Sequence, residues 1–479
     1  MKKLKYLILL LAISPVFMFT GCDSGFEEVN SNPNDPSAVP AELLLAGVIR
    51  GTGNTAGSAF NGGETGSCWV QHLGKPVYNT NELYIPRQTT IDGVWQNLYT
   101  VVAKDASIMQ QLANDQGNSN LEGVALVLKV NAFQLLTDIY GDIPMSEALL
   151  GDAGNITPIY DDSETVVYPA LLSMLDQAMT LLNGTGSIDS SQDLMYGGDW
   201  TKWKKYAASL KFKILMRAAS GGYNANAQLQ ALATSGNLFS SNADQAQLVY
   251  LSAAPNANPF YETLVDGGRD TEWCLGEELV NYMINSNDPR LPVYAQEVGG
   301  NGSGGGYVGK PAGIRAIGDS FYGDSNNVSL IGEKYLEAEQ PYYFMTYAHL
   351  SLLMAEAAER GYISTGTATD YFNMGIAASV ADNGVSGAPS INYAPGATGL
   401  TQIGEQLWVA LYMQGYEAWA EYRRTGVPTL PLAIDAVETS IPSRYNYPLS
   451  QQSLNNANYT AAVAKQGTDN LTTPLWWQN

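Results

Sequence analysis

The sequence predicts an all-α protein with long irregular loops and few short strands. Two observations carry this. Beyond Pro40, segment after segment places apolar residues at three- and four-residue spacing, as an amphipathic helix requires. Between about 219 and 340, and again from 384 to 400, Gly, Asn, Ser, Pro and Tyr dominate, with no sustained alternation of the strand type. Irregular stretches of that length in a folded chain are usually functional loops.

Taken in order, the chain opens with Lys2, Lys3 and Lys5, then the apolar run Leu7 to Phe19, then Gly21 before Cys22. That pattern is a secretory signal over 1–21, because a run of thirteen residues, almost all apolar, is too short to span a bilayer, which needs roughly 20. Phe19-Thr20-Gly21-Cys22 resembles the bacterial lipobox, which predicts lipidation at Cys22. Residues 22–40, rich in Asn, Asp, Ser and Pro, read as a tether with Asx turns. From 41 to 479 there is no sharp change of composition, so a single domain is expected.

Within it, "IDGVWQNLYTVVAKDASIMQQL" follows helical spacing, and "LEGVALVLKVNAFQLLTDIY" is apolar enough for a buried helix. "DDSETVVYPALLSMLDQAMTLL" begins with the Asp and Ser residues that cap helix starts. "DWTKWKKYAASLKFKILMRAA" gathers Trp200, Trp203, Ala207, Leu210 and Ile214 on one side. "PYYFMTYAHLSLLMAEAAERG" and "TQIGEQLWVALYMQGYEAWAEYRRTG" each close with Arg and Gly, the C-terminal signals of a helix. Consecutive helix pairs are implied, although no repeat of fixed period is visible.

Composition narrows the function. The chain carries 24 Lys+Arg against 46 Asp+Glu, and removal of the signal takes three lysines more, giving −25. Such acidity argues strongly against nucleic acid or an anionic membrane face as partner. With 45% hydrophobic and 15% charged residues the body folds. Lipidation of Cys22 would leave Cys68 and Cys274, and a disulfide between them stays open.

No catalytic signature is found. His72 and His349 are the two histidines, and no HExxH is present. Cys68 and His72 stand four apart, but local packing is the ordinary role of such a pair; His349 reads as a hydrogen-bonded histidine buried in an apolar helix. The GxGxxG matches at 300–309 lie in a glycine-saturated stretch and read as a flexible surface loop. No Ser sits in a nucleophile elbow, and the carboxylates are too numerous to nominate a glycosidase pair. No cofactor is required; structural calcium is possible on surface carboxylates but no motif indicates it.

What abounds is aromatic chemistry, with 29 Tyr, 9 Trp and 11 Phe, many of them in polar loops. Sugar C–H faces stack on aromatic planes, and hydroxyls need amide or carboxylate partners. Trp69, Tyr78, Asn79, Asn81 and Tyr84 in "CWVQHLGKPVYNTNELYIP", with Trp273, Tyr307 and Tyr322, are the candidate ligand-binding residues.

"LLTDIYGDIPMSEAL" (135–149), "NDPRLPVY" (287–294), "MTYAHLSLLMAEAAERG" (345–361), "GYEAWAEYRRTGVPTL" (415–430) and the ending "RYNYPLSQQSLNNANYTAAV…LWWQN" resemble the SusD/RagB-like lipoproteins of Bacteroidetes-type bacteria. The resemblance runs from the lipobox to the C-terminus. It implies a tetratricopeptide-like helix-pair scaffold whose loops form the ligand face. It also implies a lipid-anchored outer-membrane protein facing the cell exterior. There it would lid a TonB-dependent, SusC-like β-barrel transporter and capture an oligosaccharide or other oligomer. Asp138, Gly141, Asp142, Pro144 and Glu147 in the first motif look structural, a helix end followed by a turn. No ligand residue is transferred from the family. The leading expectation is a non-catalytic glycan-capturing protein; peptide capture, a surface polysaccharide hydrolase and a purely structural protein are the alternatives.

Overall fold

A computed structural model describes residues 40–184, 186–315 and 321–478. Helix α1 (Glu42–Ala56) leads into a nine-residue π-helix, Ala59–Ser67, and then a two-residue strand β1 (Leu73–Gly74). The expected helix over 91–112 is present as α2 (Gln88–Asn97), a π segment Leu98–Ala103 and α3 (Lys104–Asp115) in one run. Helix α4 (Ser119–Tyr140) starts where the Asn118 side chain accepts from Leu121 N at 3.1 Å. It is long and apolar enough to cross a membrane, yet 94% of that stretch is buried inside the protein, so it is the central core helix.

Asp162 caps the next run at Thr165 N, 2.7 Å, as the acidic start predicts; a π turn Ser163–Val167 continues into α5 (Tyr168–Leu181). Asp199 likewise caps α6 (Trp200–Ser220). The loop-rich middle contains α7 (Asn226–Thr234), β2 (Ala246–Leu248), β3 (Cys274–Leu275) and α8 (Glu277–Asn285), with single turns at Pro259–Tyr261 and Leu291–Tyr294.

Two expected helices are corrected. The start of "PYYFMTYAHL" is a strand, β4 (Tyr342–Met345), paired antiparallel with β2; helix α9 (Tyr347–Glu359) begins only at its Thr346 cap. Strand-favouring Tyr and Phe win there because β2 offers a ladder. The stretch 401–426 is two helices rather than one. After α10 (Ala368–Asp382), α11 (Ala397–Ala410) ends and α12 (Gly415–Thr425) begins beyond Met413, whose φ is 64°. Gly415 and Gly66 explain the break: a Cβ on Gly66 would overlap the backbone of Gly415, so the π-helix and α12 meet backbone to backbone. The chain ends with α13 (Leu449–Leu454) and α14 (Asn456–Gln466).

Consecutive helices pack on one another: α3 on α4, α4 on α5, α5 on α6, and α9 on both α10 and α11. Contacts of α6 with α9, and of α12 with α4 and α6, join these layers, and Ala41–Asn479 forms one compact unit. Strands among the described residues amount to two short antiparallel pairs, β1 with β3 and β2 with β4.

The charges of the resemblance motifs are internal struts. Arg217 of α6 pairs with Asp138 of α4 and with Glu417 and Glu421 of α12; Arg424 of α12 bridges Glu356 of α9 at 2.5 Å. Buried charges persist only when paired this way. Gly141 ends α4 at φ 90°, and a Cβ there would run into Gln466, so glycine is required by both backbone and space.

Candidate functional site

The candidate residues around Trp69–Tyr84 lie where four segments meet. The β1–β3 pair is extended by Lys310 N to Leu275 O and Leu275 N to Ser329 O, each 2.9 Å. Beneath it sits a buried quartet of charges. Lys75 pairs with Glu64 of the π-helix, and Lys310 with Glu82 at 2.5 Å. Glu64 also accepts from Asn81 Nδ2 (2.5 Å) and Arg87 Nη2 (2.6 Å), and Glu82 accepts from Gly313 N at 3.0 Å. Two anions held by two lysines and several N–H groups tie the π-helix, the 75–87 loop and the 310–313 loop together. The same setting, burial first and then Glu82, pushes the Cys68 thiol well above its usual range. Cys68 and Cys274 are both buried and both free, so the possible disulfide is absent.

Five of the eight candidate aromatic and amide residues turn out to anchor this frame. Trp69 and Trp273 have no solvent exposure. Trp69 donates Nε1 to Asn81 O at 2.9 Å and packs edge-on against Trp419 at 4.9 Å. Trp273 carries Lys75 Nζ over its ring at 4.4 Å. A ring enclosed in this way offers no face to a sugar from solvent. Asn79 donates to Ile314 O, and Asn81 binds Glu64. Tyr84 accepts from Ala433 N at 3.1 Å, and burial pushes its hydroxyl up to about 12. These side chains were attractive in sequence for the property that buries them, a large apolar body with one polar handle.

Tyr78 is different. The residue is 65% exposed, and with Tyr84 it flanks the 3₁₀ turn Asn79–Leu83, both residues in the left-handed region (φ 55° and 64°). Non-glycine residues are held there only when the surroundings determine them, and such strain gathers at binding sites. Arg269 lies 5.9 Å from the Tyr78 ring and 5.2 Å from the ring of Phe60, which Arg87 approaches at 4.9 Å. Arg269 thus links the exposed Tyr78 ring to half-buried Phe60 and Arg87, forming a platform in which Arg87 is paired with Glu64 and Arg269 with Glu272 at 2.7 Å. Sequence reasoning missed Phe60, Arg87 and Arg269, because they come from three separate segments and carry no motif. Tyr307 is half-buried at the core edge; Tyr322 is half-buried and meets exposed Phe321 edge-on at 5.0 Å.

A cavity of about 40 Å³ between the β2–β4 pair and α10 is lined by amides and tyrosines, including Gln245, Asn383 and Tyr412. It has room for a few waters, not a sugar ring.

Neither histidine forms a catalytic pair. His72 lies 5.2 Å from the Trp408 ring, and burial lowers its pKa to about 3. His349 is buried as expected, but its ring nitrogens have no hydrogen-bond partner among the described residues. Burial lowers it to about 4, against the pull of Glu417, whose Oε1 is 3.9 Å from Nε2. His349, Glu417 and Glu421 approach like metal ligands, but Lys213, Arg217 and Arg424 already hold those carboxylates.

The helical frame carries this loop face, and the buried Glu64–Lys75 and Glu82–Lys310 pairs tie its loops together. Residues 33–448 match the SusD-like family described as starch-binding and associating with the outer membrane, and the chain belongs to that family. Solved structures agree. A chitin-binding protein is 28% identical with a TM-score of 0.78, covering 92% of this chain and 100% of its own. A SusD homolog from Bacteroides uniformis is 25% identical with a TM-score of 0.79, covering 92% and 98%. A chitin-binding SusD homolog from Flavobacterium johnsoniae, at 23% identity and a TM-score of 0.78 over 90% and 98%, shares the fold. No curated protein matches the chain in sequence.

Proposed function

We propose that this protein is a non-catalytic, lipid-anchored receptor at the outer membrane that captures glycan oligomers and passes them to a SusC-like, TonB-dependent barrel transporter. The carrying observation is the platform on which the exposed Tyr78 ring stands beside half-buried Phe60, Arg87 and Arg269. Aromatic faces take the C–H side of a sugar ring, and guanidinium N–H groups donate to its hydroxyls. The family description and the chitin-binding relative support a carbohydrate. Tyr307, Tyr322 and the neighbouring Phe321 would extend the contact along an oligomer. The reading requires no cofactor.

The test is calorimetry of the mature protein against chitin, starch and peptide oligomers, with Tyr78→Ala alongside. Glycan binding that weakens tenfold or more in Tyr78→Ala is expected. Tight peptide binding without glycan binding overturns the ligand class, and new reducing ends on incubation with polysaccharide overturn the non-catalytic role. Gentle extraction of native outer membranes should recover a large β-barrel with the protein; consistent recovery alone counts against transfer.

A further inference from the structure

A second cleft shares no residue with the Tyr78 platform. It holds about 270 Å³ between the turn after α4, the start of the α5 run and the C-terminal segment, and Asp142, Asp162, Glu164, Lys465 and Trp476 line it. On this measure one water needs roughly 10–15 Å³, so the cleft accepts a ring-sized group.

Its chemistry is specific. Three carboxylates and one ammonium line it, an excess of acidic groups. Asp142 Oδ1 accepts from Ser163 N (2.8 Å) and Oγ (2.9 Å), and Asp162 pairs with Lys465 at 2.6 Å. Glu164 is exposed and stands in the first turn of the run. Asp142 is nine-tenths buried, and that burial, with Asp162 beside it, raises its pKa despite the Ser163 hydrogen bonds. The Trp476 indole lies against Gly221, where a Cβ would overlap it, and meets Tyr168 edge-on at 5.0 Å. Its N–H is buried and has no hydrogen-bond partner among the described residues, while the side chain as a whole is half-buried. An indole wall with surplus carboxylates attracts ammonium.

We propose that this cleft is a second binding site that takes a pyranose unit carrying a cationic amino group. The carboxylates would receive the ammonium and neighbouring hydroxyls, and the indole would bound the ring. A lysine side chain of a peptide brings the same charge on a slender stem and would leave most of the volume unfilled.

Calorimetry of the full mature chain tests this, with a glucosamine tetramer, its N-acetylated counterpart and an oligolysine peptide. The variants are Glu164→Gln, which removes an exposed charge without touching the core, Trp476→Leu and Tyr78→Ala. Glucosamine tetramer should bind wild type and Tyr78→Ala alike, and at least tenfold more weakly to Glu164→Gln and Trp476→Leu. In the Tyr78→Ala background the acetylated tetramer should bind at least tenfold more weakly than the glucosamine tetramer. Affinity unchanged in both cleft variants, loss in Tyr78→Ala, oligolysine binding as tight as glucosamine, or no glucosamine binding at millimolar concentration overturns the proposal. If Tyr78→Ala leaves all glycan binding intact while Glu164→Gln abolishes the glucosamine tetramer, the platform reading falls and the cleft stands.

Discussion

Tyr78 keeps its ring in solvent on a left-handed backbone, while Trp273 and Trp69, from the same loop frame, are wholly enclosed. The two kinds of aromatic should therefore respond oppositely to truncation. Tyr78→Ala is expected to lose ligand, about 1.4 kcal/mol or more for a tenfold loss, with the denaturation midpoint little changed. Trp273→Ala should cost about 3–5 kcal/mol in urea unfolding. The histidines give a pH prediction. Both are neutral in the fold, lowered to about 4 (His349) and about 3 (His72), and both charge near 6.5 when unfolded. Between those values the unfolded chain binds more protons, so stability rises with pH and is lost as pH falls below 6.5. The slope is about 1.4 kcal/mol per pH unit for each histidine. Glu421, held well below the usual carboxylate range because Arg424 and Arg217 outweigh burial, adds to the loss in stronger acid. His349→Gln should flatten the midpoint-versus-pH curve between pH 6.5 and 4; an unchanged slope would refute this role. At this scale the sequence identified Tyr78 but could not separate it from its buried neighbours, since exposure is not a property of residue type.

Among elements, the π-helix Ala59–Ser67 is the hinge of the design: it delivers Phe60 to the platform, Glu64 to the buried quartet and Gly66 to α12. Gly66→Ala should destabilise by about 1–3 kcal/mol or more, because the obstacle is the Gly415 backbone and not a side chain that can turn away. Chemical denaturation measures this directly. Glu82→Gln leaves the Lys310 ammonium without its anion and should cost about 3–5 kcal/mol; a loss below 1 kcal/mol would remove the quartet from the account of loop bracing. Helices with caps and apolar spacing, such as α4 and α6, were legible in the sequence. The break between α11 and α12 was not, since both sides are good helix formers and only the approach of Gly62 and Gly66 decides it.

For the whole molecule, residues 1–39, with the signal, Cys22 and most of the tether, lie outside the described residues. The expected outcome of Cys22→Ala is release of the protein from membranes with glycan affinity unchanged; retention in the membrane pellet would refute the lipid anchor. The predominantly helical body and its family were both readable in advance. Capping residues and apolar spacing are local, and the motifs from "TDIYGD" to "EYRRTG" keep their order along the chain.

By itself the sequence determined the helical class, several of the helices, the family and the strong net negative charge. Only the tertiary structure decided which aromatics face solvent, that Arg269 joins Tyr78 to Phe60 and Arg87, and that Cys68 and Cys274 remain free thiols. Helix signals act over a few residues. A binding face is instead assembled from loops far apart in sequence, and a buried charge network fixes their mutual positions.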